Sequence, residues 1–213
     1  MRKVRSAIVR RPASVVRRSR TGLLVFAAWL VLAAPAAATE AETFIRETAD
    51  RVFAAYAVPV TDEDRAGVFR DVLSTTFELK TIARFTLGRY WRVASAAQRK
   101  EYRRLFEDFL VLAYANRFRD LAGVKLRVTG ARMINKRDWL VQSEIGADGT
   151  RPPIRIGWRV RQAGAGLRIV DVIVDGISMS VTQRDQFAAA IHAAGGKVEG
   201  LLAMLREKTG TPE

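Results

Sequence analysis

The chain has 213 residues, 49% of them hydrophobic, with no cysteine and one histidine. This excludes a disulfide framework, thiolate catalysis, and zinc sites built on cysteines or on a histidine pair. The net charge of +14 is uneven: eight of the 36 basic residues precede position 21 with no acid among them, and setting those eight aside leaves a moderate +6, which does not suggest a nucleic-acid partner.

After the basic leader, residues 22–34 read "GLLVFAAWLVLAA" without a charge. That run is too short to cross a bilayer comfortably and suits the apolar region of a signal peptide. "APAAA" follows, with Ala36 and Ala38 as the small residues a signal peptidase reads. Residues 1–38 are therefore expected to be a signal peptide cleaved after Ala38, leaving Thr39 first in the mature chain. Export without cysteines points to the Gram-negative periplasm, and a mature chain of this length supplies a packed core as a single domain, residues 39–213.

The stretch 41–119 reads helical. A helix over 41–57 is broken by Pro59, and "TDEDRAGVFRDVLSTTF" opens with Thr61 and Asp64 at capping-box spacing, placing Val68, Val72 and Phe77 near one stripe. "ARFTLGRYWR" at 83–92 then sets Arg84, Arg89 and Arg92 among Tyr90 and Trp91. The strongest helix is 95–119. Ser95 and Gln98 form a second capping box, and Tyr102, Phe106, Phe109 and Ala113 recur at helical spacing opposite a charged side.

Beyond Gly123 the period changes to two. Strands are expected at 124–134, 138–146, 153–161 and 166–175, the clearest being "PIRIGWRVR", with Ile154, Ile156, Trp158 and Val160 on one face and Arg155, Gly157, Arg159 and Arg161 on the other. Short connections make 124–175 an antiparallel meander. Helices return over 182–208, with Thr182 and Asp185 as a third capping pattern and Gly195-Gly196 as a stop. The fold class is α+β, helices packed on one face of a twisted, mainly antiparallel four-stranded sheet.

Catalytic groups are scarce. His192 stands alone, "GISMS" at 176–180 lacks the second glycine of a nucleophile elbow, and neither a dinucleotide fingerprint nor a Walker lysine is present. No cofactor, metal or catalytic residue is expected on this basis. Asp171 and Asp175 lie in the apolar run "IVDVIVDG". Asp171 is open to two readings, a general base in a small α+β pocket or a structural carboxylate that accepts hydrogen bonds from a loop or pairs with Arg89 or Arg92. Asp175 starts the turn at Gly176.

"FTLGRYWRVASAAQRKEYRRLFEDFL", "GLRIVDVIVDGISMSVTQRDQF" and "GGKVEGLLAMLREK" resemble the MlaC / toluene-tolerance Ttg2 family of periplasmic phospholipid-binding proteins. The likeness spans about 41–208. Its most specific parts are Leu87 to Arg92 followed by Ser95 and Gln98, and later Asp171-Val172, Asp175 to Ser178 and Gln183-Arg184. Asp175 stands where the family often has Glu. The resemblance implies a carrier, not an enzyme, that holds phospholipid tails in a deep apolar cavity. It also implies two partners, an outer-membrane lipoprotein–porin complex and an inner-membrane ABC transporter complex. A branch associated with hopanoid biosynthesis shares the pattern. A monomer is expected.

On that reading the cavity wall is expected to include Phe106, Leu110 and Tyr114, which follow i, i+4, i+8 on the strongest helix. Val141, Ile156, Trp158, Val172 and Val174 are expected to join them from the inward face of the meander. Arg89, Tyr90, Trp91 and Asp171 are assigned to structure or to a lipid headgroup.

Overall fold

A computed structural model describes residues 33–56, 61–115, 125–146, 152–164 and 166–210. The chain divides at Ala33, and the unit from Ala34 to Glu213 carries the fold. The leader up to residue 32 lies outside the described residues.

Helix α1 (Ala33–Tyr56) buries Ala41, Ile45, Thr48 and Val52, one stripe at i, i+4, i+7 and i+11. Helix α2 (Asp62–Thr76) starts at the expected box: Thr61 Oγ1 accepts from the Asp64 amide at 3.1 Å, and the Asp64 carboxylate accepts from the Thr61 amide at 3.1 Å. Its buried stripe is Phe69, Leu73 and Thr76, one residue on from the expected Val68 and Val72. The bulkiest side chain, Phe69, sets the rotation of the helix.

The arginine-rich segment opens as a separate helix, α3 (Leu79–Leu87), which buries Ile82, Ala83, Thr86 and Leu87. It stops at Gly88, whose φ of +57° lies in the left-handed region that favours glycine. A 3-10 turn over Gly88–Trp91 leads to helix α4 (Ala96–Tyr114). Ser95 and Gln98 cap α4 reciprocally, at 3.1 and 3.0 Å. The expected extension over 116–119 lies outside the described residues.

Strands β1 (Leu126–Asn135), β2 (Asp138–Ile145), β3 (Ile154–Ala163) and β4 (Gly166–Val174) follow in chain order, every pair antiparallel. A fifth strand, β5 (Ile177–Ser178), returns beside β4; at two residues it is too short to show a period. Ser178 then caps helix α5 (Met179–Ala193), its Oγ accepting from the Val181 amide at 3.1 Å. The helix therefore begins before the expected Thr182. Helix α6 (Val198–Thr209) closes the fold.

Register fixes the faces. Trp139 pairs with Val160 and Val160 with Ile169; Val141 pairs with Trp158 and Trp158 with Val172; Ser143 pairs with Ile156 and Ile156 with Val174. Between the first and second rows Val170 is extra on β4, a bulge opposite Arg159 and Val160. These rows form the helix-covered face. On the other face, Arg159 and Arg161 converge on the buried Asp138, with bonds of 2.5–2.8 Å. Arg159 and Arg161 are thus a clamp on that carboxylate, whereas the period-two pattern alone marks them as solvated.

Three packed clusters result. One joins α3, α4, α5 and α6 around Tyr102, Phe106, Phe187 and Leu201. The second joins α1 to the sheet. The third joins α2 to α4 through Phe69, Leu73 and Val111. Phe77 packs against all three.

Candidate functional site

Where the three clusters meet they do not close, and a cavity of about 500 Å³ remains. That is within the range of ligand sites, roughly 300–1,000 Å³. Helix α4 contributes Phe106, Leu110 and Tyr114, and the sheet contributes Ile156, Trp158, Val172 and Val174. Of the residues assigned to the wall from sequence, Val141 alone is elsewhere. It is fully buried in the cluster with Ala41, Ile45 and Val160, one strand across from Trp158 but beneath the packed part of α1.

The other half of the wall was not foreseen. Helix α1 supplies Ile45, Thr48, Ala49, Val52 and Phe53, at i, i+3, i+4, i+7 and i+8, and α2 supplies Phe69, Val72 and Leu73. The spacing was visible in the sequence. It gave no sign that this stripe faces a space rather than a core.

Polar groups in the wall are mostly turned to partners within the protein. Trp158 Nε1 donates to Ser143 Oγ at 2.8 Å. Thr86 Oγ1 lies 2.8 Å from the Tyr102 hydroxyl and donates to the Ile82 carbonyl at 3.0 Å, while burial pushes the Tyr102 phenol far above its usual range and keeps it neutral. Gln183 Nε2 donates to Gln186 at 3.4 Å. Among the described residues, Thr48 Oγ1 is buried without a partner. The surface offered to an occupant is therefore hydrocarbon, suited to alkyl groups and poorly suited to a polar substrate.

Asp171 also reaches the cavity. Its carboxylate accepts from Ser178 Oγ at 2.6 Å and from the Ser180 amide at 3.1 Å. It thereby joins β4 to the start of α5, where a negative charge also opposes the positive end of the helix dipole. Of the two sequence readings, this geometry is that of the structural carboxylate. The expected pairing with Arg89 or Arg92 does not form. Arg89 Nη2 donates instead to the Tyr90 hydroxyl at 2.9 Å, with the guanidinium 4.9 Å from the ring centroid.

Trp91 lies under Arg99 and Arg103, whose guanidinium carbons are 5.5 and 6.0 Å from its ring, and Arg99 Nε donates to the Trp91 carbonyl at 2.9 Å. Arg89, Tyr90 and Trp91 all lie outside the cavity wall. They fasten the turn between α3 and α4 through cation–π contacts and hydrogen bonds.

A phospholipid-binding protein from Ralstonia solanacearum, solved in complex with a phospholipid, shares this fold with a TM-score of 0.68 and 23% sequence identity, over 80% of this chain and 97% of that one. The family model for the MlaC protein matches residues 46–207, from just after Ile45 at the start of the cavity-lining stripe on α1 to the last turn of α6. The chain belongs to the MlaC family.

Proposed function

We propose that this protein is a periplasmic carrier that encloses the acyl chains of a phospholipid in the cavity between α1, α2, α4 and the sheet. The observation that carries the reading is a cavity of about 500 Å³ whose wall is hydrocarbon over nearly its whole extent. Such a wall is unfavourable against water, and an apolar occupant relieves that exposure.

The occupant gains as well. Two acyl chains hold about 30 methylenes, and exposing them to water costs on the order of 20 kcal/mol at about 0.8 kcal/mol each, so free diffusion across an aqueous compartment is negligible. Family membership and the lipid-bound Ralstonia protein support the phospholipid reading. Residues 1–38 serve as the export signal. The carrier then shuttles between an outer-membrane lipoprotein–porin complex and an inner-membrane ABC transporter complex, as a monomer and without chemistry of its own.

Mass spectrometry of organic extracts from protein purified out of an envelope fraction tests this. Phospholipid near one molecule per chain is expected, and the same spectrum separates it from a hopanoid. Repeated recovery of folded protein without any lipid contradicts the reading.

A further inference from the structure

A second concavity, of about 570 Å³, lies against the opposite side of the cavity wall, with Phe77 and Phe106 common to both. It is more polar and more charged than the first. Lys80 of α3, Lys100, Arg103 and Arg104 of α4, and Arg168 of β4 line it, against two acids, Glu78 and Glu107. Lys100, Arg103, Arg104 and Glu107 are one ridge of α4 at i, i+3, i+4 and i+7. The parallel bridge between Phe77 and Ile169 brings Arg168 beside the start of α3.

Both acids also interact with cations outside the groove. Glu107 accepts from Arg70 at 3.2 Å, and Glu78 acts electrostatically on Arg161. The five cations keep donors to spare. Among the described residues Lys80 and Lys100 make no hydrogen bond or ion pair. Arg168 uses Nη1 on the carbonyl of its neighbour Leu167, Arg103 uses Nε on the Arg99 carbonyl while its guanidinium also lies over the Trp91 ring, and Arg104 has only a 3.7 Å contact with Asp108. Leu79 and Lys80, in the first turn of α3, also line the groove, and Glu78 gives that turn no side-chain cap; its dipole adds to the positive field.

We propose that this groove is a binding site for a phosphate-bearing anion, separate from the lipid-tail cavity. Converging ammonium and guanidinium donors around a helix start are the chemistry that holds a phosphate, and the guanidinium groups can do so bidentately. The proposal stands whether or not the cavity carries lipid, because its readout is anion binding. The ligand's phosphate belongs either to a soluble anion or to a lipid headgroup at a membrane surface.

The test titrates the intact protein, as purified, with inorganic phosphate at low ionic strength by calorimetry. In parallel it sediments the protein with phosphatidylcholine vesicles, with and without phosphatidic acid. Saturable phosphate binding without vesicle sedimentation identifies a soluble ligand. Sedimentation confined to phosphatidic acid vesicles and reversed by phosphate identifies a headgroup. In either case Lys100→Glu with Arg168→Glu should weaken binding about tenfold or more, while Arg155→Glu, six residues along β3 from Arg161, the cross-strand partner of Arg168, leaves it unchanged. Absence of both kinds of binding, an equal loss in Arg155→Glu, or binding of a polyglutamate peptide that phosphate neither matches nor displaces would overturn it, the last in favour of a polypeptide partner.

Discussion

One face of one sheet does two different jobs along its length. The Trp139–Val160–Ile169 row is sealed, and Val160 and Ile169 are fully buried under Ala41 and Ile45 of α1. Two rows on, Ile156 and Val174 face the cavity, opposite a part of α1 that presents Thr48, Ala49 and Val52. The Val141–Trp158–Val172 row is the boundary, with Val141 in the core and the other two in the wall. Both ends carry the same period-two pattern and the same kinds of residue. What separates them is how much volume the facing helix fills, a property of the pair of elements and not of either alone.

The comparison is broken most severely at its sealed end. Val141→Asp places an unpaired carboxylate where no water reaches, which costs several kcal/mol. The expected outcome is loss of the cooperative melt, read by circular dichroism. Val172→Glu, one step across the same row, should behave differently. Its side chain can reach the cavity, so the protein should fold with a melt close to the parent's, while co-purifying lipid falls to a small fraction of the parent's amount. Equal damage to the fold from both substitutions would erase the distinction between core and wall.

The two carboxylates on β2 and β4 sharpen the same contrast with smaller effects. Asp138 lies behind the sealed end, and hydrogen bonds from Arg161 hold its carboxyl well below the usual range against the opposing cost of burial, with Asn135 and Arg159 adding to the effect. Because its folded pKa is depressed, its contribution to stability is complete above the unfolded value of about 3.9 and is lost as pH falls toward the folded value. Asp138→Asn should therefore cost about 2 kcal/mol at neutral pH, discounted from a fully buried pair because both arginines are partly exposed. It should also flatten the stability profile between about pH 5 and 2. Urea melts across that range check both points.

Asp171 lies at the open end. Asp171→Asn keeps an acceptor for Ser178 or Ser180 but loses the charge beside α5, so about 1 kcal/mol of destabilisation is expected, with lipid content retained. A variant of unchanged stability that no longer supports transport between membranes would instead revive Asp171 as a catalytic base.

Much of this architecture can be read before any coordinates. Thr61–Asp64 and Ser95–Gln98 announce two helix starts because capping is a local interaction, confined to four residues. Ile156, Trp158 and Val160 share a face because the strand period requires it. What stays hidden depends on distance. Ser178 competes with Thr182 to cap α5 and wins through Asp171, which accepts from both Ser178 and Ser180 and lies on a different element. The clamp of Arg159 and Arg161 on Asp138 likewise needs the register of β2 and β3. Val141 fails as a wall residue for a similar reason: alternation names the face of a strand but not the depth at which a helix covers it. The stripe on α1, from Ile45 to Phe53, is regular enough to read, yet an apolar stripe looks the same whether it meets a core or a ligand.

Photo-crosslinking with a phospholipid bearing a reactive group near the end of one acyl chain tests the central claim most directly. After loading and irradiation, the adducted peptides are mapped by mass spectrometry. Adducts should concentrate on the peptides holding Ile45–Phe53 of α1, Phe106–Tyr114 of α4, and Ile156, Trp158, Val172 and Val174 of the sheet, and should spare Val141 and Val160. Labelling spread over exposed helix surfaces, with none on those cavity-lining peptides, would contradict the account.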